Sequence, residues 1–191
     1  MYKYCLLLFF VFSKQAFSQD NRFRLLATLG MNASQINGDN LAGFDKIGWN
    51  AGLGVERDFS AKSALSFEIN YSEKGSKDVP NAKNIVQDTL FRFNYIDIPI
   101  LYTYKFRRGI SAHAGIYTSI LLKATYDDFV NVYDKSSILK KTDHGFMIGA
   151  GYSFNKHLSI QLRLSQSVYD VNTTFERYYN LVSNLSIRCK F

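Results

Sequence analysis

The chain has 191 residues, enough for one domain, and with 47% apolar and 20% charged residues it is not disordered by composition. Its 13 Tyr and 16 Phe against 2 Pro favour β structure. The net charge of +7 is scattered, with basic pairs only at Arg107-Arg108 and Lys140-Lys141, which argues against nucleic acid as a partner.

The first residues read MYKYCLLLFFVFSKQAFSQD. Lys3 supplies a positive start, Cys5 to Phe12 an apolar run, and Ala16-Phe17-Ser18 a small-residue cleavage site. This predicts a signal peptide over residues 1–18 and one mature domain over residues 19–191. The apolar run falls far short of the roughly 20 residues a membrane helix needs. Cys5 leaves with the leader, so Cys189 has no partner for an intramolecular disulfide.

Strands place alternate residues on opposite faces, and parity divides the rest into eight segments. Arg22 to Ser34 carries Phe23, Leu25, Ala27, Leu29 and Met31 on one face. Ile47 to Phe59 carries Ile47, Trp49, Ala51, Leu53 and Val55, and Ser63 to Lys74 carries Leu65, Phe67, Ile69 and Tyr71. Leu90 to Phe106 carries Ile96, Ile98, Ile100, Tyr102 and Tyr104. Gly109 to Tyr126 carries Ile116, Ile120, Leu122, Ala124 and Tyr126. His144 to Phe154 carries Phe146, Ile148 and Tyr152, while His157 to Val168 carries Leu158, Ile160, Leu162 and Leu164. Tyr179 to Phe191 carries Leu185, Ile187, Cys189 and Phe191. The opposite faces are polar or small, with Arg24, Glu56, Glu68, Asp97, Lys105, Lys123, Arg163 and Arg188 among them.

The links alternate strictly between short and long. Segments two and three, four and five, and six and seven meet through SAK, RR and NK. The remaining links, 35–46, 75–89, 127–143 and 169–178, are long. Tight turns at one end and long loops at the other are the pattern of an outer-membrane barrel. Nine of the 12 glycines, Gly30, Gly48, Gly52, Gly54, Gly109, Gly115, Gly145, Gly149 and Gly151, share the polar parity. Gly38, Gly43 and Gly75 fall in loops. Glycine on an inner face relieves the crowding of a narrow barrel. Trp49, Tyr71, Tyr102, Tyr104, Tyr126, Tyr152 and Tyr179 lie near strand ends on the apolar face, as interfacial girdles do.

GWNAGLGVERDF, LSFEINYSEKG, FNYIDIPILYTYKF, HAGIYTSILLKA and HGFMIGAGYSF follow one another through the mature chain. Together they resemble the outer-membrane β-barrel domains of PorT-like proteins from Bacteroidetes. The most distinctive stretch is Tyr95-Ile96-Asp97-Ile98-Pro99. The resemblance implies the barrel and not a particular role; no motif licenses the protein-secretion role associated with the founding member. Pro99 lacks a ladder donor, and apolar parity switches just before it. A bulge or a change of exposure is expected near Tyr95 to Pro99, or the upper half of this strand stands clear of lipid.

Chemistry is sparsely represented. His113, His144 and His157 are read as inward, away from where a lipid-modifying enzyme would act, and no Gly-x-Ser-x-Gly elbow is present. No metal-ligand spacing occurs, and the Asp127, Asp128 and Asp134 cluster in loop 127–143 lacks a calcium-loop pattern. No catalytic, cofactor or metal residue is assigned.

The expectation is an all-β, eight-stranded up-and-down antiparallel transmembrane β-barrel in a bacterial outer membrane. Its polar lumen is plugged by ion pairs, and four long extracellular loops meet an envelope or external partner. The function is non-enzymatic. The partners are outer-membrane lipid, the barrel-assembly machinery through Phe191, and an unidentified partner at the loops. A soluble secreted lipocalin-like binder and, less favoured, a lipid-modifying barrel enzyme are the alternatives.

Overall fold

The computed structural model describes residues 23–37, 44–77, 90–127, 131–134, 136–171 and 178–191. The leader lies outside them. The described residues form strands β1 (Phe23–Asn37), β2 (Lys46–Asp58), β3 (Ser63–Lys77), β4 (Leu90–Lys105) and β5 (Ile110–Asp127). A short β6 (Val132–Asp134) precedes β7 (Thr142–Ser153), β8 (Leu158–Ser167) and β9 (Tyr179–Lys190).

Each strand pairs antiparallel with its neighbour. Because β4 pairs β5 and β1 pairs β9, the sheet closes on itself. Eight of the strands make the ring, while β6 folds back onto the end of β5 as a flap that the sequence reading missed. At the seam Leu26 faces Lys190, and the Phe191 N–H donates to the Leu25 carbonyl at 3.0 Å. Closure leaves no edge for aggregation.

The tight turns after β2, β4 and β7 share one end with Phe23 and Phe191. Arg108 (φ 63°) and Gly109 (φ 79°) make the turn into β5, so Gly109 serves the turn rather than the barrel wall. Gly75 lies in β3 rather than in a loop. The inner glycines fit where nothing larger does. A Cβ at Gly149 would sit 2.9 Å from the His113 ring, and one at Gly115 only 2.0 Å from the Ile100 carbonyl oxygen.

Through most of its height the barrel is inside out relative to a soluble protein. On β2, Leu53 is 69% exposed while Glu56 on the other face is 0%. Leu29, Ile116, Ile148, Leu162 and Ile187 face outward around the ring. A continuous apolar belt of this extent is unstable in water and stable against hydrocarbon. That removes the soluble lipocalin-like alternative, which requires the opposite polarity.

Above the belt the polarity reverses. On β4, Ile96, Ile98 and Ile100 point outward, but higher up Phe93 and Tyr95 are buried inside and Arg92 is exposed. On β5 the reversal needs a bulge: Asn94 faces Lys123 but Tyr95 faces Leu121, so Leu122 has no partner on β4. Beyond it Ala124 turns inward and Lys123 outward. The parity expectation had both the other way round, because one extra residue shifts every later side chain to the opposite face. Phe93, Tyr95 and Ala124 then pack with Ile36 of β1 and Leu139 of the β6–β7 link. This upper wing has the polarity of a soluble sheet, as expected where the strand stands clear of lipid.

Candidate functional site

The polar face of each strand projects into the lumen, and its charges meet there. At mid-height Arg163 of β8 binds Glu68 of β3 bidentately, Nη1 to Oε2 at 2.9 Å and Nη2 to Oε1 at 3.0 Å. Arg188 of β9 donates from Nη2 to the same Glu68 Oε1 and approaches Glu56 Oε2 at 3.8 Å. Glu68, Arg163 and Arg188 are all buried, so these are ion pairs held away from water. Nearer the tight turns, Lys190 donates to both Glu56 oxygens at 2.8 and 3.2 Å, and Arg24 to Glu56 at 3.0 Å. Asp58 accepts from Arg24 and, at 2.5 Å, from Lys105.

A second group lies nearer the long loops. Lys74 sits 2.8 Å from Asp97 and between the rings of Tyr95 and Tyr117, 4.8 and 4.9 Å from their centroids. Ser119 donates to Asp97 at 2.5 Å. Asp143 accepts from Asn180 at 3.0 Å and from the Tyr117 hydroxyl at 3.4 Å. The cavity among Asn32, Asn70, Asp97 and Arg163 is about 20 Å³, room for about one water.

Of the inward charges expected from sequence, Arg24, Glu56, Glu68, Asp97, Lys105, Arg163 and Arg188 do meet in the lumen. Lys123 does not, for the bulge turns it out. The sequence reading missed Asp58, Lys74 and Lys190. Each continues the parity of an inward neighbour, Glu56, Glu68 or Arg188, at a strand end.

The histidines are dispersed. His113 is buried in the lumen beside Gly149. His157 is exposed at the β7–β8 turn, its Nδ1 3.0 Å from the Lys190 carbonyl. His144 corrects the expectation: it shares the outward parity of Phe146, is exposed, and has Nδ1 3.1 Å from Thr118 Oγ1. It therefore stands on the face where lipid chemistry would occur, yet among the described residues no carboxylate is bonded to it to complete a triad. In the Asp-rich loop, Asp128 lies outside the described residues. Asp134 is exposed, and hydrogen bonding from the Ser136 hydroxyl and from the Ser136 N–H, the latter at 2.8 Å, holds its carboxyl below the usual range. Among the described residues no three ligating side chains come together.

A family profile described as "Outer membrane protein beta-barrel domain" matches residues 15–172. No curated protein matches the sequence. Among solved structures, Neisserial surface protein A is 14% identical with a TM-score of 0.58, over 90% of this chain and 98% of that one. Ail, the attachment invasion locus protein of Yersinia pestis, was solved in complex with the heparin analogue sucrose octasulfate. It is 12% identical with a TM-score of 0.57, over 89% of this chain and 99% of that one. At such identities these likenesses speak to the fold.

Proposed function

The chain belongs to the outer membrane protein beta-barrel domain family, and on that premise we propose that it is a non-enzymatic, non-conducting barrel of the bacterial outer membrane that presents its long links to a partner outside the cell. The observation that carries this reading is the Arg163–Glu68–Arg188 bridge across the mid-lumen, beside which the cavity among Asn32, Asn70, Asp97 and Arg163 holds about 20 Å³. A barrel of eight strands has an interior just wide enough for side chains, and here charged ones fill it. With the lumen plugged, exchange with the exterior falls to the upper wing and the links around it.

A polyanionic surface is the partner class that best fits that end. Arg92, Lys123, Lys140 and Lys141 are all exposed there, and Ail, similar in fold, was solved with a sulfated sugar. Within the family, the Tyr95 to Pro99 stretch supports a grouping with the PorT-like barrels of Bacteroidetes. Residues 1–18 fit a leader removed on export, leaving 19–191 as the barrel. The outward row of β9 ending at Phe191 fits a signal read by the barrel-assembly machinery.

The test joins two measurements, one on the purified mature protein in lipid and one on whole cells. Planar-bilayer recordings should show no stable channel. Cells displaying the barrel should bind immobilised heparin, and Arg92→Gln with Lys123→Gln should weaken that binding while leaving the barrel folded. A steady open conductance, or retention untouched by the double variant, would refute the corresponding half of the proposal.

A further inference from the structure

The ion-pair group toward the tight turns is not electrically balanced in itself. Five cationic side chains, Arg24, Lys105, Arg163, Arg188 and Lys190, are joined by ion pairs to only three carboxylates, Glu56, Asp58 and Glu68. Two positive charges are therefore left over within it. Glu56, Glu68, Arg163 and Arg188 are buried, while Arg24, Asp58 and Lys105 are a quarter to a third exposed at the rim, so the positive excess is partly shielded from water and offers a counter-ion a site that is open at one end.

A cavity stands where that counter-ion could enter. It holds about 290 Å³ at the end of the tight turns, with Ala61, Phe106 and Gly109 at its mouth and Glu56 and Arg188 on its wall. Lys105 and Lys190 reach into it, and hydroxyls of Thr103, Ser111 and Ser159 line it. Two of its polar groups have nothing to bind. Thr103, 4% exposed, has no hydrogen-bond partner at Oγ1, and Arg188, 1% exposed, has none at Nε. Lys105 Nζ donates to Asp58 alone among the described residues, although an ammonium carries three hydrogens. Residues with unused donors therefore line the cavity: an arginine Nε–H, a lysine ammonium and a hydroxyl. Its one carboxylate, Glu56, is already bound to Arg24 and Lys190.

We propose that this periplasm-facing cavity is a binding site for a small oxyanion of the phosphate class, whose double negative charge offsets the two unmatched cations. The oxyanion accepts from Arg188 Nε, Lys105 Nζ and Thr103 Oγ1. Charge-assisted hydrogen bonds in a partly desolvated site give it an advantage over chloride, which lacks several acceptor atoms. The site lies at the opposite end of the barrel from the surface proposed for the external partner, so each stands or falls separately.

The experiment uses the isotopically labelled mature protein in nanodiscs, titrated with inorganic phosphate at constant ionic strength. Saturable amide shifts are expected at Thr103, Ser111 and Ser159, with one phosphate bound per barrel. Lys105→Gln and Thr103→Val, each checked for heat-modifiable migration, should each weaken binding; for Lys105→Gln the loss is roughly tenfold, as for one charge-assisted hydrogen bond. If Lys105→Gln fails to fold, Thr103→Val, neutral and isosteric, carries the test. Non-saturating shifts, equal displacement by chloride, or unchanged affinity in the folded variants would each overturn the proposal. So would shifts confined to Arg92 and Lys123 at the other end. Succinate in place of phosphate separates a general dianion site from one selective for a tetrahedral oxyanion; binding by succinate alone would overturn the phosphate assignment.

Discussion

Glu68 holds two arginines at once, so it is the side chain on which the mid-lumen depends. Glu68→Gln leaves Arg163 and Arg188 buried with their main counter-charge gone, and breaking a buried pair from one side costs about 3–5 kcal/mol. The unfolding midpoint in urea, followed by gel migration without boiling, should fall accordingly; an unchanged midpoint would show that water already screens the bridge. Gly115 tests closure at the same scale. Its missing Cβ would lie 2.0 Å from the backbone of β4, so Gly115→Val should push β4 and β5 apart and reduce the folded fraction. At Phe191 the backbone N–H holds the seam while the ring is outward and 73% exposed. Phe191→Ser keeps the hydrogen bond and removes the ring, so a sharp loss of assembled barrel in cells, with normal refolding in detergent, separates recognition during assembly from stability.

Strand β4 contains both solvents in one element. Its lower half shows lipid Ile96, Ile98 and Ile100, and its upper half shows water Arg92 and hides Phe93 and Tyr95. The boundary is read at the point of reversal: cysteines placed at Arg92 and Lys123 should react in whole cells with a membrane-impermeant thiol reagent, whereas cysteines at Ile100 and Ile116 should stay protected. Labelling of all four would dispute the boundary. The reversal also marks where sequence stopped being legible. Pro99 and the aromatic run gave notice of an irregularity near Tyr95, yet the extra residue is Leu122 on the facing strand, and no residue type there announces it. Strand pairing and lumen parity were readable because alternation is a local property. The β6 flap was not, because Val132 to Asp134 shows no periodicity long enough to detect. At the end of β6, the hydrogen bond between Asp134 and Ser136 carries a pH signature. With the carboxyl depressed, the contribution of this bond is complete above the ordinary value of 3.8 and is lost only as pH falls through the lower folded value. Exchange of the Ser136 amide should thus be flat from pH 5 to 8, after correction for intrinsic rate, and rise only in stronger acid.

The whole molecule joins three environments along one axis: ion pairs and an anion-sized cavity toward the tight turns, an apolar belt, and a soluble-type wing with exposed cations. Binding at the wing should weaken steeply with salt, since exposed charges are screened over about 8 Å at physiological ionic strength. The buried lumen bridge should barely respond over the same range. Heparin retention and the urea midpoint measured across one salt series compare the two directly, and parallel slopes would mean that the lumen is open to electrolyte.

The seam has a kinetic consequence. Seven of the eight ladders in the ring join strands that follow one another along the chain, while the eighth joins β1 to β9 across all the others. Loop-closure cost rises by about 0.6 kcal/mol with each doubling of length, so this single contact carries a penalty of about 3 kcal/mol over a tight hairpin. If the cheaper hairpin contacts form before the seam, the chain passes through a curled sheet with β1 and β9 both unpaired. Until the bond between Phe191 and Leu25 forms, that sheet carries two sticky edges, and the rate at which they find each other rather than a neighbouring chain decides how much protein becomes a barrel.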